Sequence, residues 1–76
     1  MNKIRRKELS IIYHEITELM ERLEAVKDEE EEYRDNIPEN LQASDRYAKA
    51  DEAVSALEEA FDYLSSALDN IETVME

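Results

Sequence analysis

Two runs of apolar residues, each advancing by alternate steps of three and four, meet at the only proline of a 76-residue chain that has no glycine. The first run is Leu9, Ile12, Ile16, Leu19, Leu23, Val26, Glu30, Tyr33 and Ile37, with Glu30 its one charged member. The second is Tyr47, Ala50, Val54, Leu57, Phe61, Leu64, Leu68, Ile71 and Met75. This alternation is the heptad of a helical seam, unlike the period of two that a strand requires. Laid against each other in opposite directions, the seams pair positions whose numbers share a constant sum of 80, from Tyr33 with Tyr47, through Val26 with Val54 and Leu19 with Phe61, to Leu9 with Ile71. Two separately spaced rows that agree on one register give the mutual consistency expected of a real fold. The reading is an all-α chain, an antiparallel two-helix coiled-coil hairpin forming a single domain over residues 1–76.

The boundaries follow from the residues around Pro38. Helices are expected over 3–36 and 45–75, with a link at 37–44. Asn36 tolerates the left-handed conformation that ends many helices, and Pro38 biases Ile37 toward an extended backbone. Pro38 is also suited to opening a short helical turn. Ser44 is the expected N-cap of the second helix, with Asp45 in its first turn. Ile37 and Leu41 are expected to fold back over Tyr33 and Tyr47 and close that end. At the other end, Arg5 and Arg6 are expected to reach Asp69, Glu72 or Glu76.

A chain this short builds a thin core alone, and the seams are wider than a two-helix coil needs. Tyr13 and Met20 follow Ile12 and Leu19, and Ala53, Ala60, Ala67 and Val74 recur every seven positions. Small residues at that spacing let another helix approach closely, or serve simply as strong helix formers on an exposed flank. The first reading is preferred: these six residues form a dimer interface, and two hairpins make a four-helix bundle. Glu30, opposite Ala50, either fixes register by pairing with Lys49 or Arg46 or leans outward to water.

Charge narrows the function. The net charge is −12, yet Lys3, Arg5, Arg6 and Lys7 put +4 on the first seven residues and leave −16 on the rest. Such a surface repels phosphates and attracts basic partners, so direct nucleic-acid binding is not expected. The N-terminal apolar residues are interrupted by charge, and neither a signal segment nor a membrane span is expected, which suggests a cytoplasmic protein. The chain has no cysteine, so thiolate chemistry is excluded.

The inventory for catalysis is short. His14 is the only histidine, and the second histidine of a His-Glu-x-x-His zinc motif would fall at Glu18. The run Asp28 to Glu32 lacks the glycine and alternation of a calcium loop, and five successive acids on a helix point in different directions. No catalytic residue, metal site or cofactor is expected, and the chain is read as no enzyme. That acidic run near a helix C-terminus opposes the helix dipole, which makes Asp28, Glu29, Glu31 and Glu32 candidates for partner recognition. Glu39, Asn40 and Gln42 in the link are further candidates, against the alternative that they cap helix ends.

The block NIPENLQASDRY, Asn36 to Tyr47, followed by the helix that carries Ala53, Leu57 and Glu58-Glu59-Ala60, resembles small acidic hairpin proteins of bacteria and their phages or other mobile elements. The matching positions are Asn36, Ile37, Pro38, Glu39, Leu41, Gln42, Ser44, Asp45 and Arg46. The resemblance covers the second half of the chain well and the first half only as a long acidic helix. It implies a setting without an assigned activity. In that setting the preferred reading is a homodimeric protein–protein interaction module with an unknown, basic protein partner. The alternative is a mobile-element inhibitor or DNA mimic, whose carboxylates occupy the nucleic-acid channel of a host defence protein such as a CRISPR effector.

Overall fold

In a computed structural model that describes residues 1–76, α1 runs from Lys3 to Asp35 and α2 from Asp45 to Met75. A link with one short 3-10 turn at Glu39–Leu41 joins them. The two helices pack against each other as a helical hairpin 59 Å long and 15 by 13 Å across.

Capping explains each boundary. Asn2 Oδ1 accepts a hydrogen bond from the Arg5 amide at 2.8 Å and starts α1, satisfying one of the orphan amides of the first turn. Ser44 starts α2 in the same way, its Oγ accepting from the Tyr47 amide at 3.4 Å. Asn36 ends α1 without the expected left-handed conformation. Its φ is −86° and ψ −4°, and no residue in the chain has positive φ. The Ile37 amide bonds the Arg34 carbonyl at 3.2 Å, so α1 closes by a tightened last turn, and Pro38 supplies the stop that a left-handed residue would otherwise give. Beyond Pro38 the amides of Leu41, Gln42 and Ser44 bond the carbonyls three residues back. These turns pair part of the link's backbone without glycine.

The seam of α2 faces inward as expected, with Ala50 and Val54 each only 2 % exposed and Leu57, Phe61, Leu64, Leu68 and Ile71 half-buried. The seam of α1 does not. Leu9, Ile16 and Leu23 lie inward, but Ile12, Leu19, Val26 and Tyr33 are 37–54 % exposed. Their places are taken by Tyr13, Met20, Lys27 and Arg34, one position further on, and Met20 is buried. This corresponds to turning α1 by roughly 50°, half the angular step between residues. Lys27 and Arg34 have long aliphatic stems that cover apolar surface while their charged heads reach water. A reading that counts lysine and arginine as polar misses that substitution.

At the link, Ile37 is buried as expected, whereas Leu41 is 45 % exposed and does not close the end. Arg5 and Arg6 make no ion pair with Asp69, Glu72 or Glu76, and Glu30 pairs with neither Lys49 nor Arg46 although it is half-buried.

Val54→Ala is expected to lower stability by about 2 kcal/mol through lost burial and the cavity left behind. Ser44→Ala should cost about 1 kcal/mol through loss of the cap. Urea denaturation followed by circular dichroism at one protein concentration checks both.

Candidate interaction surfaces

Seven-residue spacing gives the hairpin two chemically distinct flanks. In α1, Ile12, Leu19, Val26 and Tyr33 form one row; in α2, Arg46, Ala53, Ala60, Ala67 and Val74 form another. The Arg46 guanidinium lies 5.9 Å from the centre of the Tyr33 ring, a cation–π distance, so both rows share one flank. That flank is apolar from Ile12 to Tyr33 on α1 and small-sided along α2.

The opposite flank is polar. Lys27 Nζ sits 2.8 Å from Asp28 and 3.3 Å from Glu31. Hydrogen bonds, to Asp28 first and then Glu31, hold the Lys27 proton more tightly than in a free lysine. Arg34 donates from Nε to Asp35 at 3.0 Å and from Nη1 to Asp51 at 2.9 Å. The bond to Asp51 is the one ion pair that joins the two helices. Further from the link, a shallow cleft of about 130 Å³ is lined by Glu24, Lys27, Glu58, Phe61 and Asp62. Three carboxylates around one lysine make this flank acidic.

The residues singled out from the sequence divide between these surfaces. Of the expected dimer interface, Ala53, Ala60, Ala67 and Val74 lie on the apolar flank. Tyr13 and Met20 do not, because the rotation of α1 commits them to packing within the chain. Asp28 and Glu31 are engaged by Lys27, while Glu29 and Glu32 are exposed without an ion pair. In the link, Glu39, Asn40 and Gln42 are exposed and their side chains make no hydrogen bond, so none of these side chains caps a helix, although the Gln42 backbone amide closes the 3-10 turn on the Glu39 carbonyl. His14 is exposed, its ring 6.2 Å from that of Tyr13. The surface missed in the sequence is the row Ile12, Leu19, Val26 and Tyr33. Its signal was present, since this row is wholly apolar while the row beside it carries Lys27 and Arg34.

Compared with protein-family models, curated proteins and solved structures, the chain matches none. No helix is long and apolar enough to cross a membrane.

Glu39→Ala and Gln42→Ala are each expected to change stability by no more than about 0.5 kcal/mol, as for surface positions without partners. Thermal melts would reveal a hidden structural role as a larger loss. A second expectation concerns pH. The Tyr63 hydroxyl donates to Glu59 Oε1 at 2.7 Å, and this hydrogen bond, with some desolvation, raises the Tyr63 pKa. The folded chain therefore holds that proton more tightly than the unfolded chain, and the associated stability is present below the ordinary tyrosine value of about 10 and lost above it. A ring-resolved NMR titration should show Tyr63 ionising earlier in Glu59→Ala than in the parent chain.

Proposed function

We propose that the chain is a non-catalytic, homodimeric protein–protein interaction module: an antiparallel coiled-coil hairpin that pairs with a second copy into a four-helix bundle. The observation that carries this reading is the setting of α1. Its wholly apolar row, Ile12, Leu19, Val26 and Tyr33, faces outward, while the mixed row, Tyr13, Met20, Lys27 and Arg34, packs inward. Hydrophobic burial alone would favour the reverse, so the outward row fits a surface that is itself covered. The accessible area agrees. At 8.9 kDa the chain exposes 5933 Å², against about 4,800 Å² for a folded monomer of that mass. The antiparallel direction is supported by contacts on both flanks, since Tyr33 with Arg46 and Arg34 with Asp51 have sums of 79 and 85, on either side of the expected 80.

Dimerisation through the apolar flank leaves the acidic flank and the link free for a partner. Glu24, Glu58 and Asp62 suit a basic protein surface. The same carboxylates support the second reading, in which a mobile-element protein mimics nucleic acid on a host defence protein such as a CRISPR effector. The two readings separate by salt: mimicry of phosphates should weaken steeply as ionic strength rises, whereas mainly apolar recognition should not.

Light scattering over a concentration series tests the dimer. The parent chain is expected at twice the monomer mass, and Leu19→Glu, which buries a charge only if that flank is covered, is expected at the monomer mass with its helicity retained. A parent chain that stays monomeric at the highest concentration would overturn the reading.

A further inference from the structure

The charges of α1 lie against its own dipole. Lys3, Arg5 and Arg6 occupy its first turn, where the helix end is already positive, and Glu29 to Glu32 approach its negative end. Within the chain these charges go largely unanswered. None of Lys3, Arg5, Arg6 and Lys7 makes an ion pair, and neither do Glu29, Glu30 and Glu32. Unpaired cations at one end and unpaired anions at the other, separated by an exposed apolar row, make α1 complementary to a reversed copy of itself.

The row is also centred for such a reversal. Arg5 continues it toward the N-terminus, so that Arg5, Ile12, Leu19, Val26 and Tyr33 have Leu19 at their midpoint, and Arg46, Ala53, Ala60, Ala67 and Val74 have Ala60 at theirs. Tyr33 lies beside Arg46, which puts positions summing to 79 at one level and hence Leu19 level with Ala60. A two-fold axis crossing the flank there maps each row onto itself.

Resting on the dimer reading above, we infer that the second copy covers the apolar flank head to tail, with the two-fold axis at Leu19 and Ala60. Leu19 then meets Leu19 of the second copy, Ile12 meets its Val26, and Ala53 meets its Ala67. Arg5 comes level with Tyr33 of the second copy, within reach of its Glu32. Arg22, exposed and unpaired, comes level with Ile16 of the second copy, between its Glu15 and Glu18. The opposite packing, with both links at one end, would gather two copies of the Asp28–Glu32 cluster instead. With the axis at Leu19 the copies overlap along α1, about 50 Å at 1.5 Å per residue, and the hairpin is about 15 Å across, a projected area on the order of 700 Å², comparable with the roughly 800 Å² that each partner contributes to a standard stable interface.

The absence of native cysteine makes the arrangement directly readable by disulfide formation. Single variants Leu19→Cys, Ile12→Cys, Val26→Cys and Ala60→Cys are oxidised alone and in mixed pairs, and the products are identified by intact mass. Head-to-tail packing predicts that Leu19→Cys bridges to itself and that Ile12→Cys bridges to Val26→Cys. Ile12→Cys should not bridge to itself, because its two copies stand about 21 Å apart along the axis, far beyond the ~7 Å limit for a disulfide. A Leu19→Cys to Ala60→Cys bridge between copies signifies links at the same end and overturns the inference while leaving the dimer intact. A dimer by light scattering in which none of these pairs bridges means that another flank is used, and equally overturns it. A monomer overturns both this inference and the reading beneath it. Should Leu19→Cys lose helicity, the Ile12→Cys and Val26→Cys mixture decides the same question.

Discussion

The rotation of α1 about its own axis decides which of two neighbouring rows meets α2, and the character of every exposed surface depends on that choice. With the row from Tyr13 to Arg34 turned inward, Met20 is buried and the stems of Lys27 and Arg34 border the seam. Their charged ends are held at the rim by Asp28, Glu31, Asp35 and Asp51. The Arg34–Asp51 bond ties this rotation to α2, and on the other flank the stacking of Arg46 on Tyr33 opposes further turning. Exposed ion pairs add little stability, but a pair that joins two helices distinguishes one rotational setting from another. The apolar row from Ile12 to Tyr33 is consequently outside.

A two-helix hairpin cannot bury both flanks of either helix, and only four residues here are buried. The thinness of the core and the exposure of the apolar row are therefore one fact seen from two sides. Sharing that row with a second copy is the route by which small helical chains commonly acquire a fuller core. In the proposed dimer the surface divides by role, with one flank given to self-association and the other, acidic, available to a partner. In the link, Ser44 caps α2, while the side chains of Glu39, Asn40 and Gln42 make no hydrogen bond.

Much of this organisation was legible in the sequence, for identifiable reasons. The α2 seam could be read because its heptad positions are apolar and its neighbours largely polar. Ser44 could be read as a cap because its side chain has a specific hydrogen bond to make, and Pro38 as a break because it cannot continue a helix. The α1 seam was read one position off at every second step. Ile12 and Tyr13, or Leu19 and Met20, are adjacent candidates for the same inward place, and the pattern favours the more apolar row only if lysine and arginine stems are given no apolar value. The same rotation separates Tyr13 and Met20, which turn inward, from the alanine row of α2, with which the spacing alone had grouped them.

Local chemistry along the chain determined the helices, their caps, the break at Pro38, the inward face of α2 and the uneven charge, because each depends on residues within a few positions of one another. The tertiary structure decided the rotation of α1, the right-handed ending at Asn36, the exposure of Leu41 and the placing of the apolar rows on one flank. Those outcomes depend on which side chains of two long helices fit against each other, a competition among near-equal alternatives that no single helix can settle by itself.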